Sequence, residues 1–153
     1  IGVVKHTLLE IEKLDNKQYS TVVYLEPPSP FRISEDIDHC VELFFEHNPG
    51  SVVSVFEANQ FHPILMKQIA SGALKPIWKD EPEGVPRQLY HPKSYMRNGA
   101  VYVLRRTNIV NNKFYGDPII PYIMPEERSI CIDSMLDWYA AEAMLVAQSK
   151  SQN

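Results

Sequence analysis

An α/β fold built on a parallel sheet with crossover helices is predicted by three observations. Helical and strand-like patterns alternate from Ile1 to Val55, the order that joins parallel strands through helices. Thr21-Val22-Val23-Tyr24-Leu25 is a continuous β-branched and aromatic run, as strands covered on both faces are. The 12 prolines gather at the ends of such patterns, where a missing backbone donor does least harm.

Each element follows from its own residues. Val4, Leu8 and Ile11 recur at helical spacing, with Lys5, Glu10, Glu12 and Lys13 mostly opposite, which predicts an amphipathic first helix. The chain opens inside that helix on an isoleucine, and we expect it to be cut from something longer. Asp15-Asn16-Lys17-Gln18 reads as a turn, and Thr21 to Leu25 as a buried parallel strand stopped by Pro27, Pro28 and Pro30. Ser34 is expected to cap the second helix, with Glu35 and Asp36 favoured by its dipole. Ile37, Cys40, Val41, Phe44 and Phe45 form its expected buried stripe, and Asn48-Pro49-Gly50 ends it. Ser51 to Val55 is the next strand.

The segment 56–97 differs. Short apolar pieces such as Ile64-Leu65-Met66 alternate with polar and proline-bearing turns. No long helix fits, and the segment reads as an extended arm within a single domain spanning 1–153. Asn98-Gly99 is a turn signal before a strand from Gly99 to Leu104. Pro118 to Met124 is another short strand. Asp133 is expected to cap a final helix with Leu136, Tyr139, Ala140, Ala143 and Met144 facing inward, before a frayed polar tail from Gln148.

Composition narrows the function classes. A chain of 153 residues can bury one core. A net charge of −4 provides no electrostatic footprint for nucleic acid. The apolar runs are too short to span a bilayer, so no membrane partner is expected. Cys40 and Cys131 have neither a C-x-x-C context nor paired histidines, which supports neither a zinc site nor a disulfide framework. A reduced cytoplasm is the expected location.

Three constellations could carry chemistry. Leu25-Glu26-Pro27-Pro28-Ser29-Pro30-Phe31-Arg32 follows a strand, and ligands of open α/β sheets bind at that edge. Ser29 and Arg32 there are either substrate-gripping groups or parts of a proline-stiffened connection. Arg87-Gln88 and Tyr95-Met96-Arg97-Asn98 offer guanidinium forks suited to carboxylate or phosphate, or else surface arginines beside a turn. Met124 to Trp138 carries an apolar strand into the charged run Glu126-Glu127-Arg128 and then Asp133, which is either a helix cap or a cation ligand. His6, His39 and His47 read as surface helix residues.

Taken together, these pieces resemble the acylneuraminate (sialic acid) cytidylyltransferases. The family order is L-Q-P-T-S-P-L-R, E-D-I-D, G-S-V-V-S-V, H-P, R-Q, Y-x-x-N-G-A-[IV]-Y-[IV] and M-P-E-E-R-S-[IV]-D-I-D-x-x-L-D-W. This chain carries Leu25 to Arg32, Glu35 to Asp38, Gly50 to Val55, His62-Pro63, Arg87-Gln88, Tyr95 to Val103 and Met124 to Trp138 in that order. The resemblance implies a Rossmann-like three-layer nucleotidyltransferase fold with a mixed, mostly parallel sheet and an extended dimerisation arm at 56–97. It implies CTP and a sialic- or legionaminic-type sugar acid as substrates, joined with release of pyrophosphate. It implies a homodimer, and Mg²⁺ or Mn²⁺ as the metal. Asp133 and Arg87 are the implied catalytic residues. Glu26, Ser29, Arg32, Gln88, Tyr95, Arg97 and Asn98 are the implied substrate contacts, and Asp133 is the implied metal ligand.

Four departures matter. The family's basic, glycine-bearing nucleotide loop would precede Ile1. Glu26 and Pro28 stand where the family has glutamine and threonine. Met96 stands where an arginine is common, with Arg97 one place later. Cys131 stands where a metal-binding aspartate belongs, and a neutral thiol is a poor ligand for a hard cation. Two readings therefore stand: a cytidylyltransferase domain, inactive as this fragment, and a non-catalytic dimerising or sugar-binding relative.

Overall fold

A computed structural model describes residues 1–58, 60–78 and 84–151. A four-stranded sheet ordered β1-β5-β2-β6 forms the centre, from β1 (Thr21–Tyr24), β2 (Ser51–Glu57), β5 (Tyr95–Arg105) and β6 (Ile119–Ile123). β5 is antiparallel to both β1 and β2, and β2 is parallel to β6. Three strands thus share one direction and β5 opposes them. The α/β class and a mixed sheet are as expected, but neighbouring strands are mostly antiparallel. β1 pairs only with β5 among the described residues and is half-buried. Its β-branched run reports a fit to a pleated surface, which says nothing about the direction of the neighbouring strand.

Alternation along β2 and β5 sends side chains to two cores. Val52, Val101 and Val103 meet Cys40 and Phe44 of α2 (Ser34–His47) on one face. Val53, Val55, Tyr102 and Leu104 meet Leu8 of α1 (Gly2–Leu14) and Ile109 of α3 (Arg106–Val110) on the other. The result is three layers. The Arg106 guanidinium joins the outer pieces, donating from Nε to Glu12 Oε1 at 2.7 Å and from Nη2 to Oε2 at 2.9 Å. Burial pushes the Cys40 thiol up to about 12, so it behaves as a small apolar group.

Several local expectations need correction. Ile33 occupies the cap position of α2, and its amide donates to Asp36 Oδ2 at 3.0 Å, which places Ser34 inside the helix. Phe45 is 66% exposed; it lies one position beyond Phe44 and off the inward stripe. Asn98-Gly99 is no turn but part of β5. The last helix, α4, runs Met135–Ser151, so helix continues past Gln148. Leu136, Tyr139, Ala140 and Ala143 face solvent, and Ala141 is the buried residue. Apolar residues occur around much of α4, so periodicity could not select its inner face.

Between β2 and β5 the chain forms 3₁₀ turns at Pro63–Leu65 and Arg87–Leu89 and a small hairpin of β3 (Lys67–Ala70) and β4 (Ala73–Pro76). The expected absence of a long helix holds there among the described residues; positions 59 and 79–83 of this segment lie outside them.

The buried carboxylate of Asp36 is 0% exposed and joins three elements. Arg128 donates from Nη2 to Oδ1 at 2.6 Å and from Nε to Oδ2 at 3.3 Å. Tyr122 of β6 adds its hydroxyl to Oδ1 at 3.0 Å. Burial opposes ionisation, but Arg128, the Ile33 amide and Tyr122 outweigh it and hold this carboxyl below its ordinary value. The ionised form therefore contributes stability above about pH 4, lost as pH falls through the folded value. We expect Asp36→Asn to destabilise the fold by about 3 kcal/mol at pH 7 and to flatten the acid limb of stability. Denaturant unfolding at pH 7 and pH 3 checks both.

Candidate active cleft

The cleft begins with a break in the sheet. Val53 stands opposite Tyr102 but Val55 stands opposite Arg97. Ser54 alone therefore faces the four residues from Asn98 to Val101, and β5 bulges. Gly99 takes φ +69° there, a conformation other residues adopt only with strain. A Cβ on Gly99 would lie 2.5 Å from Glu26 Oε2 and 3.0 Å from Ser29 Oγ.

Asn98 holds the bulge open from within. It is 2% exposed. Its Oδ1 accepts from Ser54 Oγ at 2.6 Å and from the Ala100 amide at 3.2 Å. Its Nδ2 donates to Ser129 Oγ at 2.9 Å. One side chain thus replaces the ladder bonds that the bulge removes and ties β5 to the loop after β6. The loop after β1 is fastened to the same place. Ser29 Oγ donates to the Asn98 carbonyl at 2.8 Å, Arg32 Nη1 to the Glu26 carbonyl at 2.8 Å, and the Ile132 amide to the Pro28 carbonyl at 2.9 Å.

These loops enclose a cleft of about 550 Å³, lined on its polar side by Glu26, Arg97, Asn98, Glu126, Cys131 and Asp133. It lies at the carboxyl ends of β1, β2 and β6, the edge where α/β sheets bind ligands. Arg97 is steadied by a hydrogen bond to the Tyr115 hydroxyl and lies over that ring. Tyr102 is buried under the cleft, where desolvation and then Glu26 push its hydroxyl up.

Asp133 is not the cap of α4. Asp137 Oδ2 accepts from the Ser134 amide at 2.8 Å and the Asp133 amide at 3.1 Å, so Ser134 and Asp137 form the capping box. The Asp133 side chain is exposed in the cleft. Burial, then the neighbouring Asp133 carboxylate, push the Cys131 thiol above its usual range, against a smaller opposing effect of Ser29. Cys131 is therefore a neutral thiol at neutral pH.

The cleft brings together Glu26, Arg97, Asn98 and Asp133. Ser29 and Arg32 are engaged inside the loop that frames it. Tyr95 is exposed at the start of β5. Arg87 and Gln88 lie elsewhere, in a second cavity of about 400 Å³ with Glu57, His62 and Lys93. Tyr102 and Glu126 escaped the sequence reading as cleft residues, as did Tyr115, which acts on the cleft through Arg97; only their place in the fold brings them there. His6, His39 and His47 are exposed, as expected. No helix among the described residues is long and apolar enough to cross a membrane.

Gly99→Ala is expected to destabilise the protein by about 1–2 kcal/mol, mainly through its positive φ, with a smaller cost for moving the flexible Glu26 carboxylate aside. Gly72→Ala shares a positive φ of 75° but meets open space, and should cost about 1 kcal/mol. Parallel thermal or denaturant melts separate the two contributions.

No protein-family model matches the chain. Curated relatives do. CMP-N,N'-diacetyllegionaminic acid synthase of Legionella pneumophila is 31% identical, covering 95% of this chain and 62% of the relative. Post-translational flagellin modification protein B of Campylobacter coli is 23% identical, covering 95% and 61%. N-acylneuraminate cytidylyltransferase of Escherichia coli is 28% identical, covering 88% and 31%. The chain thus spans about three fifths of the first two relatives and under a third of the last. With the similarity running along nearly its whole length, the chain belongs to a sialic acid cytidylyltransferase-like family.

Proposed function

We propose that this chain forms the sugar-acid side of a cytidylyltransferase that joins CTP to a sialic- or legionaminic-type sugar acid. The observation that carries this reading is the cleft, where Arg97, Asp133 and Glu26 converge at the carboxyl edge of the sheet. In the reaction the sugar's anomeric oxygen bonds to the α-phosphorus of CTP. The bridging bond to the β-phosphate breaks, pyrophosphate leaves, and the hydroxyl proton passes to solvent. Catalysis of this kind rests on positioning and electrostatics.

Arg97, fixed by Tyr115, supplies positive charge for the sugar carboxylate or a phosphate. Asn98 acts as a positioning residue, since its polar atoms are engaged in holding the bulge. Among the described residues no three His, Cys, Asp or Glu side chains cluster as a metal cage. Mg²⁺ held mostly by phosphates and water needs only one or two carboxylates, and the exposed carboxylate of Asp133 meets that minimum. Bound there, the ion would offset phosphate charge. Cys131 adds no oxygen to the set. That neutral thiol favours the second reading, a relative that binds the sugar without turnover.

We also propose a homodimer. Apolar side chains crowd the surface of the arm and α4: Ile69 is 80% exposed, Leu74 70% and Leu136 76%. A second copy covering them would bring the arm, with Arg87 and Gln88, over the partner's cleft. Light scattering should report twice the mass of 17.6 kDa, and Leu74→Glu should shift the protein toward monomer. A monomeric mass at working concentration contradicts the arrangement.

CTP- and Mg²⁺-dependent pyrophosphate release, measured over a panel of sialic-type sugar acids, tests the activity in this chain and in a longer protein containing it. Asp133→Asn should reduce release by about a hundredfold or more. Unchanged release in the variant removes Asp133 from the metal role. Sugar binding without release in either protein supports the non-catalytic reading.

A further inference from the structure

The carboxylate of Glu26 is the feature of the cleft that the proposed reaction leaves without a task. Both proposed substrates are anions, yet Glu26 lies in the cleft with Glu126 and Asp133, against the single guanidinium of Arg97. Glu26 is not disordered surface: it is half-buried, its amide donates to the Gly99 carbonyl at 3.2 Å, and its carbonyl accepts from Arg32. Its Oε2 lies over the hydrogen face of Gly99, 2.5 Å from where a Cβ would stand. Among the described residues it makes no ion pair, and Arg97 directs its hydrogen bond to Tyr115 instead. Tyr102 and Arg97 both feel Glu26 as a negative charge. A half-buried carboxylate without a direct ion-pair partner attracts a donor, and most strongly a charged one.

We propose that Glu26 selects sugar acids carrying a protonated amine in place of an N-acyl group on the face turned toward the β5 bulge. The inference rests on the cytidylyltransferase reading and on the loop 26–32 facing the sugar. An ammonium placed there forms a charge-assisted hydrogen bond with Glu26 while Arg97 remains free for the sugar's own carboxylate. A neutral amide N–H can also donate to Glu26, but without the opposite charge, and its acyl group must occupy the space above Gly99.

The test compares N,N'-diacetyllegionaminic acid with the same sugar lacking one acetyl group, as the free amine. Binding is measured by calorimetry and turnover by pyrophosphate release, on this chain and on a longer protein containing it. Glu26 predicts at least about tenfold tighter binding of the amine, a preference that Glu26→Gln abolishes or reverses without changing the fold. Glu26→Asp, which keeps the charge, should retain part of it. Equal binding of the two sugars by the unaltered protein overturns the inference, as does a preference untouched in Glu26→Gln. Amine-selective binding without pyrophosphate release keeps the inference and rejects the catalytic reading. Release of pyrophosphate with no amine preference does the opposite.

Discussion

The ion pair between Asp36 and Arg128 is the constraint on which the cleft depends. Asp36 sits fully buried at the start of α2, and Arg128 lies in the turn that follows β6. Their two hydrogen bonds fix that turn against the helix, and Tyr122 completes the join from the strand between them. Burial and the bond to Asp36 push the Tyr122 hydroxyl up to about 12, so it stays a donor. Such a pair is not retained for stability alone, because desolvation consumes much of its Coulombic gain. Its value here is geometric. Ser129 follows Arg128 directly, and the next four residues carry Cys131 and Asp133 into the cleft.

From Ser129 the constraint passes to the sheet. Its hydroxyl accepts from Asn98, Asn98 accepts from Ser54, and Ser54 Oγ accepts from the Val101 amide at 2.7 Å. A bulge in a central strand would otherwise leave buried donors unpaired. This network satisfies them with side chains and turns an irregularity in β5 into a cavity wall. Gly99 leaves that wall low enough for Glu26 to lie across it. The chemistry of the cleft thus follows from a few buried polar contacts, while the two apolar cores supply rigidity behind it.

The sequence was most legible where periodicity and composition report local burial. The helix stripe of Cys40 and Phe44, the buried run of β2 and, among the described residues, the lack of a long helix between β2 and β5 were all visible in it. Strand direction was not, because Val and Tyr pack equally well beside parallel or antiparallel neighbours. The Asn98-Gly99 pair signals positive φ, and Gly99 does adopt it, but bulges and turns share that demand. Asp133 resembled a cap because Ser134 and Asp137 provide the same chemistry one residue later. Candidate site residues were legible as motifs, yet only the fold separates Glu26, Arg97 and Asp133 in the cleft from Arg87 and Gln88 in the second cavity.

The central claim is that a sugar acid enters between the β5 bulge and the loop from Ser129 to Asp133. A chain of 17.6 kDa suits backbone amide shift mapping by NMR during titration with a sialic-type sugar acid. The account predicts the largest shifts at Glu26, Gly99, Cys131 and Asp133. Shifts confined to the cavity around Arg87 and Lys93, with the bulge unmoved, would contradict it.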